Sequence, residues 1–280
     1  MQDAIMGILS LSLIGLVFTL IASSLGFFDL PSLKRPPIEL SQVASLFAMY
    51  LSFLFLSPLF LSFALSLIPS YPNISYQTVS ILQFVITSSM LISLFLYTLS
   101  DRQGRFKTLL KHPCSDSSYL KDFGIGCLTW FMAFPFVAAI NQLCDTALFP
   151  FFDGKPYEQA AVAYLKHNLE TPLQAFFALT SIVIIAPVIE EFLFRGILQQ
   201  YIKKFLSVRL SIVLTSFLFA LFHFSSSQHL GNVSLISSLF CLSCFLGYLY
   251  EKQGSLYASI GLHMSFNLAS SLQIMLFPEA

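Results

Sequence analysis

The chain has 280 residues, of which 56% are hydrophobic and 10% charged, with 31 Phe and a formal net charge of zero. So little charge on so apolar a chain excludes a soluble globular domain, and the zero balance excludes a basic footprint for nucleic acid. What remains is an all-α integral membrane protein whose solvent is the lipid bilayer.

Eight apolar segments long enough to cross a bilayer follow in order, at about 4–27, 41–68, 78–100, 122–149, 171–200, 210–226, 232–250 and 255–277. The first lacks a basic n-region, and its apolar run is too long for a cleavable signal peptide. Eleven basic residues fall in one set of alternating connections: Lys34, Arg35, Arg102, Arg105, Lys107, Lys111, Lys121, Lys203, Lys204, Arg209 and Lys252. The other set holds only Lys155 and Lys166. By the positive-inside rule the richer set is cytoplasmic, so both termini are expected on the extracytoplasmic side. That pattern suits a bacterial inner membrane.

Three parts are expected. Residues 1–150 are four N-terminal helices without a usable motif. Residues 151–170 are an extracytoplasmic loop, with an amphipathic helix from about Glu158 onward. Residues 171–280 are a four-helix core that holds the polar site. The cysteines are Cys114, Cys127, Cys144, Cys241 and Cys244, an odd and scattered set that is no disulfide framework. Cys241 and Cys244 share a helix face and read as small buried hydrophobes. His112, His167 and His229 fall in connections and read as solvated.

The last four spans contain a short list of residues that oppose insertion. Glu190, Glu191 and Arg195 lie on the fifth, His223 on the sixth, and His263 and Asn267 on the eighth. A charge at the centre of an inserted helix costs about 2.5–3.5 kcal/mol on insertion scales, so such residues are paired, buried or functional. Glu191 and Arg195 are four apart and can form an ion pair on one face. Glu190 is rotated from Glu191 by about 100° and must look for a partner elsewhere. Phe219 and His223 share a face, as do His263 and Asn267. Counted from their helix ends, Glu190, both histidines and Asn267 lie at a common depth of roughly 12–20 Å, so three helices can bring them together.

The trio EExxxR, FxxxH and HxxxN/D, in this order, resembles the CPBP family of intramembrane proteases, which includes CAAX prenyl endopeptidases and bacteriocin-processing or self-immunity proteins. It is carried here by Glu190-Glu191-Phe-Leu-Phe-Arg195, by Phe219 to His223, and by His263 to Asn267 after "GSLYASIGLH". The similarity covers about residues 171–275. It implies a protease that cuts a membrane-associated protein or peptide. Glu190 would activate water with His223 alongside, and His263 and Asn267 would stabilise the oxyanion. Glu191, Arg195 and Phe219 would support the architecture.

Glu190, His223 and His263 are also the ligand types of a two-His, one-carboxylate zinc site. No HExxH is present. With Glu191 committed to Arg195, a metal-bound Glu190 would leave no second base. Hydrolysis by Glu and His without a cofactor is therefore expected. Two other classes compete: a non-catalytic immunity or scaffold protein of the same fold, and a proton-coupled transporter. The chain shows no repeated half of the kind transporters use.

Overall fold

The structure, a computed structural model, describes residues 2–31, 33, 37–67, 76–101, 104–113, 115, 117–151 and 160–277. Among them the long helices are α1 (Gln2–Ser24), α2 (Leu40–Ser66), α3 (Tyr76–Leu99) and α5 (Tyr119–Leu148). They continue with the composite α7 (Pro172–Ile202), α8 (Val208–Leu221), α9 (Gly231–Gln253) and α10 (Leu256–Leu276). Two short helices lie between, α4 (Arg105–Leu110) and α6 (Ala160–Asn168). The eight long helices fall on the eight expected segments. α6 lies within the expected amphipathic stretch; residues 152–159 of that loop, and Lys34, Arg35, Arg102, Cys114 and Lys155, are outside the described residues.

By length and composition six helices can cross a membrane: those beginning at Ala4, Leu40, Ser80, Tyr119, Pro172 and Gly231. α8 has only 14 residues, or roughly 21 Å at 1.5 Å per residue. α10 has 21 residues, but His263, Asn267, Gln273 and several serines dilute its apolar character. A helix enclosed by other helices need not be apolar all round. Many large apolar side chains elsewhere, such as Leu13, Phe60 and Leu128, are exposed and make a lipid-facing surface.

Local signals set the boundaries. Thr171 accepts the backbone N–H of Gln174 ahead of Pro172 at the first turn of α7. Ser207 caps α8 through the N–H of Leu210. Gly254, at φ 64, closes α9 in the left-handed conformation that glycine adopts without strain. α8 was expected to run to 226, yet it stops at Leu221. The sequence there turns to "FHFSSSQ", and serine side chains compete for backbone groups and favour turns.

α5 packs lengthwise on α10, α1 and α9, and α9 packs on α8. The α5–α10 contact is backbone on backbone. A Cβ on Gly126 would stand 2.1 Å from the Ala258 carbonyl oxygen, and one on Gly261 would stand 2.4 Å from that of Phe123. Small residues let membrane helices approach this closely, and the contact sets the position of α10 two residues before His263. On the opposite side α2 and α3 meet α7 through Leu46, Met90, Leu94, Ile189, Leu193 and Ile197.

Candidate active site

Pro187 sits in the middle of α7. A proline there has no N–H to give and normally breaks a helix. Here the helix widens instead. Thr180–Ile185 and Phe192–Gln199 are π-helical, with the α-helical turn Ala186–Glu191 between them. The N–H of Ala186 donates to the Ser181 carbonyl, five residues back. In that register Pro187 would have served the carbonyl of Ile182. That carbonyl instead accepts Nδ2–H of Asn267, on α10, at 2.8 Å. Asn267 replaces the donor that proline lacks. Single π turns inside α-helices recur at functional sites.

Glu191 and Arg195 pair as their spacing predicts, Nη1–H donating to Oε1 at 2.9 Å with both side chains fully buried. The arrangement is larger than a pair. Nη2 of Arg195 donates to the Ser243 hydroxyl at 2.6 Å and to its carbonyl at 3.4 Å. The guanidinium lies 4.4 Å from the centroid of the Phe219 ring, a cation–π contact. Nδ1 of His263 lies 2.7 Å from the same Glu191 oxygen. A carboxylate accepts, so Nδ1 is the protonated nitrogen, and Glu191 fixes both the orientation and the tautomer of that ring.

His223 is oriented in a similar way. It lies in the turn just past α8, not inside the helix as expected, because α8 ends early. Its Nδ1 is 2.9 Å from the Phe219 carbonyl, which can only accept. Both rings therefore commit Nδ1 elsewhere and turn Nε2 towards Glu190. Oε2 of Glu190 is 3.8 Å from Nε2 of His263 and 3.9 Å from Nε2 of His223. Neither separation is a direct hydrogen bond. Phe219, fully buried, is the spacer of the site, with its centroid 4.8 Å from the His223 ring and 5.9 Å from that of His263. Of the expected residues, Glu190, His223 and His263 converge, with Phe219 and Glu191 behind them. One N–H of the Asn267 amide is given to the α7 backbone.

Zinc would hold imidazole nitrogen and carboxylate oxygen at about 2.0–2.2 Å, putting tetrahedral neighbours about 3.4 Å apart. The separations at Glu190, 3.8 and 3.9 Å, are wider. Among the described residues no group of three or more His, Cys, Asp and Glu side chains is disposed to hold a metal ion.

Several contributors carry no motif. Tyr50, on α2, is 8% exposed and close enough to Glu190 for the two to interact electrostatically. Glu251, 1% exposed near the end of α9, accepts Nε2–H of Gln199 at 2.9 Å and of Gln200 at 2.8 Å. Nζ of Lys203 reaches it at 2.7 Å. This buried carboxylate ties α9 to the far end of α7. His112, expected to be solvated, is buried instead. Its N–H donates to the Gly254 carbonyl at 2.7 Å, which folds the α4–α5 connection onto the α9–α10 turn. Cys241 and Cys244 are partly buried free thiols.

Residues 172–269 match the model of the family described as type II CAAX prenyl endopeptidase, Rce1-like. That range holds all three motifs and the Glu190, His223 and His263 cluster; Tyr50 lies outside it. The comparison with curated proteins gives no match, nor does that with solved structures.

Proposed function

We propose, from the premise that residues 172–269 form an Rce1-like segment, that the protein is an intramembrane endopeptidase hydrolysing a peptide bond in a membrane-associated protein or peptide. One observation carries the reading. Two imidazoles from separate elements, each held at Nδ1, aim Nε2 at one oxygen of a carboxylate that has no closer partner among the described residues. An ion pair built only for packing would close to hydrogen-bonding distance, as Glu191 and Arg195 do.

The reaction follows from that spacing. A water lying between Glu190 and the two Nε2 atoms gives a proton to Glu190 as its oxygen adds to the scissile carbonyl. The oxyanion that forms is met by His263, once Nε2 carries a proton, with the carboxylate of Glu191 offsetting the ring's charge from behind. Glu190 then passes its proton to the leaving amine as the C–N bond breaks. No cofactor is needed for these steps. Asn267 supports the reaction by holding the π turn above Glu190, and its remaining N–H is a further oxyanion donor. With eight crossings, the distribution of Lys and Arg supports both termini on the extracytoplasmic side.

Comparing membrane-protein termini by mass spectrometry, in cells with the native chain or Glu190→Ala at matched expression, tests the assignment. Termini that depend on Glu190 establish proteolysis. Identical termini together with an unchanged phenotype would assign the fold to a scaffold or immunity role instead.

A further inference from the structure

The reaction leaves one polar group beside Glu190 unused. Tyr50 lies on α2 and is 8% exposed. Aromatic contacts seat its ring. The ring of Phe222, which precedes His223 in the chain, has its centroid 6.3 Å from that of Tyr50. One turn earlier on α2, Phe47 packs edge-on against Phe194 of α7 at 5.5 Å and against Phe222 at 6.0 Å. Tyr50 is thus set between the helix that carries Glu190 and the turn that carries His223, and its phenol senses the charge of Glu190. The hydroxyl makes no hydrogen bond to any described residue, yet it is not sealed in. Phenylalanine would make the same ring contacts, so the hydroxyl is not there for packing. Buried polar groups are nearly always paired, and an open, unpaired O–H beside a catalytic carboxylate awaits a partner from outside the chain.

The tetrahedral intermediate shows which donor is still missing. Its oxyanion and its leaving nitrogen occupy different corners. Donors for the oxyanion come from α10, as Nε2 of His263 and the second N–H of Asn267. His223 faces the attacking water. The nitrogen must be protonated as the C–N bond breaks, because an amide anion is too basic to leave. Glu190 holds the proton, but took it on the side of the attacking oxygen. A phenol both donates and accepts, and an ordinary one is neutral below about pH 10. It can take that proton and hand on its own in one movement.

We infer that Tyr50 is a catalytic residue, the proton relay from Glu190 to the leaving nitrogen. The carboxylic acid of Glu190 gives its proton to the phenol oxygen, and the phenol gives its own proton to the nitrogen. The C–N bond breaks as the electron pair of the oxyanion restores the carbonyl. Glu190 ends as a carboxylate and Tyr50 as a neutral phenol, ready for the next water. The assignment rests on the proteolytic reading above. It brings α2, outside the residues matched to the family, into the chemistry.

Two probes test the relay: a synthetic peptide spanning the junction that the Glu190-dependent termini identify, and the same peptide with an ester in place of the scissile amide. An alkoxide leaves far more readily than an amide anion, so the ester needs little help at that corner. Tyr50→Phe should lower turnover of the peptide about 10²-fold with half-saturation nearly unchanged, and turnover of the ester by less than about threefold. Melting should stay as in the native chain, since the hydroxyl has no hydrogen bond to lose. Equal losses on peptide and ester would put the phenol on the oxyanion, and no loss on either would make it a packing residue; each overturns the relay. Where Tyr50→Phe lowers folded yield, Tyr50→3-fluorotyrosine keeps the ring and the O–H. Its fluorine resonance should move when Glu190→Gln is introduced, and an unmoved resonance overturns the inference without any substrate. Termini that depend on Glu190, with Tyr50→Phe cleaving like the native chain, refute the relay alone. Termini that ignore Glu190 refute the protease reading itself, and the relay with it.

Discussion

Replacing Arg195 with methionine removes a charge from a place that no water reaches. The guanidinium and Glu191 are both 0% exposed and 2.9 Å apart. Methionine keeps much of the volume and the contact with Phe219, but it abandons Glu191. Breaking a buried pair by removing one member costs about 3–5 kcal/mol, because the other charge stays uncompensated. The cation–π contact at 4.4 Å adds up to about 2 kcal/mol when desolvated. Against this, His263 still donates to Glu191 at 2.7 Å and recovers part of the loss. The net expectation is about 3–4 kcal/mol, or two to three orders of magnitude in the folded ratio. Thermal unfolding and monodisperse yield in detergent measure it. Glu191→Gln with Arg195→Met, which neutralises both partners, should recover more than half of that loss, a coupling of about 2 kcal/mol. A single Arg195→Met variant with native stability and yield but no cleavage would refute this account, and would put the guanidinium in the reaction rather than behind it.

Glu190→Gln should leave folding intact, since its nearest partners stand at 3.8 and 3.9 Å, and should lower cleavage about 10²–10⁴-fold as a lost general base; a cleavage assay on purified protein with matched melting curves checks both halves. Glu191→Gln leaves His263 an amide that can present either an acceptor or a donor to Nδ1, so turnover should fall about tenfold or more while half-saturation changes little. Asn267→Ala uncovers the Ile182 carbonyl and should cost about 1–3 kcal/mol. Pro187→Ala on top of it supplies the missing N–H and should return stability without returning activity, as unfolding and cleavage assays run on the double variant would show. Gly261→Ala forces a Cβ to 2.4 Å from the Phe123 carbonyl, and the resulting shift of α10 should reduce cleavage more than tenfold even where the variant still folds.

How far the sequence led can be judged from α7. Its charges were legible because insertion makes each one improbable, and the four-residue spacing of Glu191 and Arg195 predicted their bond. The two π turns were not legible. Apolar periodicity reports that a helix exists, whereas the change from i+4 to i+5 is decided by Pro187 and by what lies across from it. The contact of one Asn267 N–H with the Ile182 carbonyl was for that reason not foreseen. The end of α8 was missed for a related reason. Phe222 and Phe224 extend the apolar run, and only the three serines beyond argue for a turn. Tyr50 and Glu251 were missed because neither belongs to a motif; one comes from a helix without costly residues, and the other sits where a span meets its basic loop.

The early stop of α8 changes what the second motif does. In an unbroken helix, the Phe219 carbonyl would take the backbone N–H of His223, and the imidazole would be free to rotate. Here the N–H of His223 turns to the Ala220 carbonyl, and the Phe219 carbonyl receives the ring Nδ1. The turn thus converts a helix carbonyl into the group that fixes the imidazole. His263 is fixed by a carboxylate, with Arg195 on the same oxygen, and is 5% exposed, whereas His223 is 33% exposed. Two rings that present the same nitrogen to one oxygen are therefore unequal. The buried ring, backed by charge, is suited to hold a proton against the oxyanion. The outer ring, backed by a neutral carbonyl, is suited to accept from water. His263→Gln should accordingly depress turnover more than His223→Gln, and equal losses in a single-turnover assay would contradict this division of roles.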